Sequence, residues 1–89
     1  MKKETVLSGY GIVIVDRGYV YVGKVVHTKK WCEMEGAKNI RRWGTRNGLG
    51  ELALNGPLSE TVLDPVGNIQ IPAHAVISVI ETDAELWEK

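Results

Sequence analysis

The sequence predicts a mainly β domain: a small barrel or β-roll of five to seven short strands, with one short helix at about 48–55. Three observations predict it. Val, Ile, Tyr and Thr recur in runs bounded by turn residues at short, regular intervals. Leu49, Leu52 and Ala53 fall at the i, i+3, i+4 spacing of a helical face, just before a helix stop signal. The chain has 89 residues and 44% hydrophobic side chains, enough for a single domain, 1–89, with a thin core.

Along the chain, Val6 to Val15 is the first strand, with Gly9-Tyr10-Gly11 marking a bend or bulge. Asp16-Arg17-Gly18 is a turn, and Tyr19 to Val26 completes a hairpin. Both faces of that second strand are apolar, so it is covered on both sides. Thr28-Lys29-Lys30 is the next turn. Trp31 to Glu35 then alternates, with Cys32 and Met34 facing one way and Trp31, Glu33 and Glu35 the other. Gly36 breaks the run, and Lys38 to Trp43 forms a further strand with Ile40 as its core residue. After the helix, Asn55-Gly56-Pro57 is a stop signal. Strands follow at Thr61 to Leu63, Asn68 to Ile71 and Ala75 to Ile80, with Asp64-Pro65-Val66-Gly67 read as a turn. Asp83 can cap a C-terminal helical turn over 83–89.

The net charge is zero but unevenly spread. Residues 17–46 hold eight basic and two acidic side chains, a balance of +6, and residues 47–89 hold seven acids and one lysine, a balance of −6. The middle of the chain can attract an anion although the whole cannot. The single cysteine, Cys32, excludes an internal disulfide framework. With no apolar run of membrane-spanning length, and no h-region after Met1-Lys2-Lys3, the expectation is a cytoplasmic protein without membrane partners.

The segment Arg41 to Leu52 has the densest chemistry. Arg41, Arg42 and Arg46 can pair a phosphate, Trp43 can stack on a flat ring, and Thr45 and Asn47 can read polar edges. Backbone N–H groups of Gly48, Leu49 and Gly50 open a helix, where an oxyanion is favoured. The candidate ligand-binding residues are therefore Arg41, Arg42, Trp43, Thr45, Arg46, Asn47 and Gly48. The competing structural reading is a strand-to-helix turn with Trp43 in the core, Thr45 or Asn47 as cap and solvated arginines.

Other constellations carry less. Gly48, Gly50 and Ala53 fit the spacing of a dinucleotide fingerprint, but the chain is too short for that fold. His27, Cys32 and His74 match no metal spacing, and Cys32 lies on an apolar face where a thiol is packing. No enzyme, metal or cofactor is expected. Tyr19, Tyr21 and Trp31, near Lys29 and Lys30, form either a subunit interface or a stacking surface for single-stranded nucleic acid.

Two family resemblances follow from particular residues. Val22-Gly23-Lys24-Val25, then Glu35-Gly36-Ala37-Lys38-Asn39-Ile40, resemble the strand rhythm of Sm-like, SH3-like barrels over about residues 6–42. The helix after residue 47 departs from that pattern, in which a helix precedes the strands. Ile40 and Trp43 closing a strand, with Gly44, Leu49, Leu52 and Ala53 following, resemble a family of small bacteriophage and prophage proteins of uncharacterised function. That resemblance implies a phage origin and residence in the host cytoplasm. The functional expectation is a non-catalytic homo-oligomer that binds a small nucleotide-like anion. In its sharpest form it is a phage sponge for a cyclic oligonucleotide or cyclic ADP-ribose type of immune signal. The alternatives are an RNA- or single-stranded-DNA-binding Sm-like ring, or a phage protein that binds and inhibits a host protein.

Overall fold

The computed structural model describes residues 5–87; Met1-Lys2-Lys3 and the Glu88 and Lys89 of the expected tail turn lie outside them. Five strands form one antiparallel sheet: β1 (Thr5–Val15), β2 (Val20–Thr28), β3 (Trp31–Arg42), β4 (Val62–Pro72) and β5 (Val76–Glu81). Helix α1 (Leu49–Asn55) joins β3 to β4, and a short α2 (Ala84–Trp87) follows β5. The spatial order is β4-β3-β2-β1-β5. Each of the first four strands pairs with its sequence neighbour, and the last returns to the first. The fold is the expected mainly β one, with five strands. The sheet is not closed into a hydrogen-bonded barrel, since β4 and β5 are its two edges.

Sequence reading and structure differ on strand length. Gly36 does not end a strand, and Asp64-Pro65-Val66-Gly67 is not a turn between strands. β3 and β4 run through both places as one long ladder. The ladder absorbs the irregular residues as register shifts between Met34 and Ala37 and between Ala37 and Lys38. Gly36 (φ 57°) and Gly67 (φ 81°) take the left-handed conformations that such shifts need. Gly9-Tyr10-Gly11 is likewise continuous strand, and the β1 irregularities fall on either side of it, between Thr5 and Leu7 against β2 and between Ile14 and Val15 against β5. The β1–β2 turn is as expected, with both Arg17 (φ 65°) and Gly18 (φ 83°) left-handed, as tight hairpin turns require.

Both faces of the sheet bury apolar side chains. On one face Ile12, Val20, Val22 and Ile40 pack with Leu49, Leu52 and Ala53 of α1 and with Trp87 of α2. This explains why α1 is amphipathic and where its stripe goes. On the other face Val13, Val15, Val25, Cys32, Met34, Ala37 and Ile71 form a second cluster, bordered by Val76 and Val79 of β5. Among the described residues neither α1 nor α2 contributes to that cluster. Val13, Val25, Cys32 and Met34 are nevertheless at most 1% exposed. A single flat sheet cannot bury them, so the long strands bend the sheet over its own inner face. The helical side is tied by Thr82, whose hydroxyl donates to the Ala53 carbonyl (2.5 Å) and accepts from Trp87 Nε1 (3.0 Å). The Asp83 carboxylate caps α2 by accepting from the Glu85 N–H at 3.0 Å, as expected.

Candidate functional site

The seven candidate residues are contiguous in space because they are contiguous in sequence. Arg41 and Arg42 end β3, and Trp43 to Gly48 cross to the start of α1. β3 stops here because Gly44 (φ 69°) turns the chain under the 57–61 loop; a Cβ at this position would lie 2.6 Å from the Glu60 carbonyl carbon. The Thr61 hydroxyl donates to the Trp43 carbonyl (2.6 Å) and accepts from the Leu58 N–H (2.9 Å). The backbone of the segment is thus pinned to the loop that follows α1.

Trp43 is 41% exposed, which places its indole between the two expected roles. It is not a core residue, and part of its ring is open to a ligand. Arg41 and Arg42 are exposed, and each meets a carboxylate. Arg41 donates through Nε to Asp64 Oδ2 at 2.7 Å, and Arg42 lies 3.6 Å from Glu60. The side chains of Arg46 and Asn47 are exposed, with no hydrogen-bond partner among the described residues. Exposed ion pairs contribute about 0–1 kcal/mol, so an anionic ligand can exchange for Asp64 or Glu60 at small cost.

The backbone donors are arranged differently from the expectation. The Gly48 N–H donates to Thr45 Oγ1 (3.0 Å), so Thr45 serves the local turn. The N–H groups of Arg46 (3.2 Å) and Asn47 (3.0 Å) both donate to Glu51 Oε1. A carboxylate of the protein itself holds the donors that a free anion would use. Glu51 is the third residue of α1 and reaches back over the helix start in the manner of a capping box. Four neighbours of the site were missed in the sequence: Glu51, Glu60, Thr61 and Asp64. For Glu51 a signal existed, an acid at the third helical position. For the others none did, because the 57–64 stretch reaches the site only through tertiary structure.

Three clefts lie away from residues 41–48. One of about 230 Å³ lies between β1 and β5, lined by Gly9, Gly11, Val25 and Val79 among others. A second is lined by Glu33, Glu35, Asn68 and Gln70 between β3 and β4. A third is lined by Lys29, Lys30, Trp31, Pro72, Ala73 and His74. Arg41, Arg42, Trp43, Arg46 and Asn47 are all exposed, so the segment presents an open surface rather than the walls of a binding cleft. Trp31 is 42% exposed and starts β3, whereas Trp43 follows its end, so the two basic–aromatic groups lie at opposite ends of one strand.

Cys32 is buried, and burial raises its pKa above the usual thiol value. Such a thiol stays protonated and packs as an apolar group. Among the described residues no group of three His, Cys, Asp or Glu side chains is placed to hold a metal ion, and no helix is long and apolar enough to cross a membrane. No family model, curated protein or solved structure matches the chain.

Proposed function

We propose that this protein is a non-catalytic binder of a small nucleotide-like anion, and that Arg41, Arg42, Trp43 and Arg46 form its contact surface. The observation that supports this reading is the coincidence, at the end of β3 and in the loop that follows it, of three exposed guanidinium groups and a partly exposed indole. Arginine pairs phosphate oxygens in a planar fork, and an indole offers a face to a base. The surface is open, so a small ligand needs a second wall, which a homo-oligomer can supply. Together with the phage resemblance, this favours a protein that sequesters a nucleotide-derived immune signal in the host cytoplasm.

Thermal-shift and native binding measurements against cyclic di- and trinucleotides and cyclic ADP-ribose products test the proposal. Binding should be lost in Arg42→Ala and in Trp43→Ala, with melting temperature and solution mass retained. If no member of the panel shifts the melting curve, and denatured extracts of the purified protein release no ultraviolet-absorbing nucleotide, the reading fails.

A second reading is supported by the other end of β3. Trp31 stands exposed in a groove with Lys29, Lys30, Pro72 and His74, a combination suited to stacking and phosphate contact with single-stranded RNA or DNA. Indole fluorescence quenching by homopolymers, with a steep salt dependence, would favour it over the small ligand.

A further inference from the structure

The two edges of the sheet are unlike. β4 carries Pro65 and Pro72, places Asp64 in an ion pair, and meets β3 through three register shifts. Prolines, charges and irregular pairing are the devices that keep an edge from recruiting another strand. β5 has almost none of them. Its residues, Val76-Ile77-Ser78-Val79-Ile80-Glu81, include no proline or lysine, and the only charge is at the end. One irregularity, between Ile14 and Val15 of β1, leaves Ile77 outside the β1 ladder, and Ile77 is 67% exposed.

The direction of the free hydrogen-bonding groups follows from the ladder. The Thr82 N–H donates to the Tyr10 carbonyl (3.1 Å), in the same register as Ile80 opposite Ile12 and Ser78 opposite Ile14. Thr82, Ile80 and Ser78 therefore turn their backbone groups toward β1, and Val79 and Glu81 turn theirs to the free edge. Among the described residues nothing pairs with that edge.

We propose that the β5 edge pairs with the β5 edge of a second copy of this chain, antiparallel about a two-fold axis at Ser78. The sequence around Ser78 is self-complementary: Ser78 falls opposite Ser78 of the second copy, with Ile77 opposite Val79 on either side of it. The two Ile77–Val79 pairs that flank the Ser78–Ser78 pair are aliphatic, and the two Glu81 carboxylates stay at opposite ends. A register that set Glu81 against Glu81 would oppose like charges. The contact is isologous and closes on itself, and the protected β4 edge stops it from extending into a filament. Two six-residue strands make an interface smaller than the roughly 1,600 Å² of stable complexes, so the dimer is concentration-dependent.

Ligand-free protein suffices for the test, which separates it from the nucleotide reading. Light scattering of the wild type should show the mass rising from one chain toward two with concentration. Ile77→Lys alters the contact twice per dimer and should weaken it about tenfold or more, with the melting temperature retained. Ser78→Cys should cross-link under oxidation, because a non-hydrogen-bonded antiparallel pair brings its Cα atoms to about 4.5 Å, within disulfide range. Val66→Cys, exposed on β4, should not cross-link. A wild type that stays single-chain at its solubility limit overturns the proposal. So does a dimer that persists in Ile77→Lys, or one in which Ser78→Cys fails to cross-link.

Discussion

Removing the Glu51 carboxylate should loosen the turn before α1 and strengthen anion binding at the same time. Glu51 Oε1 accepts from two backbone N–H groups, at 3.2 Å and 3.0 Å, and no other hydrogen-bond acceptor serves them among the described residues. Loss of a cap of this kind costs about 0.5–2 kcal/mol. The site is open to solvent, which places the effect near the middle of that range, at about 1 kcal/mol. For a domain of this size that lowers the melting temperature by about 4–8 °C. The second effect has the opposite sign. A unit charge removed at about 7 Å from a bound anion, in water-like dielectric, is worth about 0.6 kcal/mol, a two- to threefold gain in affinity. The assay is a melting curve for Glu51→Ala and Glu51→Gln, followed by titration with the anion at low ionic strength, where screening is weakest. Glu51→Gln keeps an acceptor oxygen and should lose less stability while gaining similar affinity. An unchanged melting temperature in Glu51→Ala would refute the capping role. Weaker anion binding in that variant would refute the placement of the ligand on this surface.

Three further outcomes follow from the packing. Gly44→Ala should lower stability by about 3 kcal/mol or more, since a left-handed backbone and a clash with the Glu60 backbone act together; chemical denaturation measures it. Leu52→Ala should cost about 2–5 kcal/mol, whereas Leu54→Ala, two residues along the same helix but 80% exposed, should stay within about 0.5 kcal/mol. Burial raises the Cys32 pKa, so the folded state holds the thiol proton more tightly than the unfolded state does. That stability is fully present below about pH 8.5 and is lost as pH rises toward the raised value, a slope that Cys32→Ala should remove from an alkaline melting series.

Much of the fold was readable along the chain. The helix at 48–55 is α1, the β1–β2 hairpin and its turn stand where the valines and Gly18 put them, and Cys32, Met34 and Ile40 are core. The errors share one cause. Gly36 and the Asp64-Pro65-Val66-Gly67 stretch are stop signals when each strand is taken alone. The two irregularities face each other across the β3–β4 ladder, so each accommodates the other's bend. A signal that ends an isolated strand becomes a bulge when its partner strand bends at the same place. The tail turn capped by Asp83 is present as α2, and tertiary structure adds that its Trp87 is buried and bonded to Thr82.

At the candidate site the sequence by itself determined the inventory: three arginines, an indole and the start of a helix within a few residues. It also determined that α1 would have one apolar face, because that follows from spacing alone. Tertiary structure decided what those groups are free to do. It brought Asp64 and Glu60 to two of the arginines, gave the turn's N–H groups to Glu51, and left Trp43 half in solvent. It also left β5 as an unprotected edge, which no linear pattern reveals. The physical reason is that periodicity and turn chemistry are properties of neighbours in the chain. Whether a charge, a donor or a strand edge is already satisfied depends on residues brought close only when the sheet curls and packs.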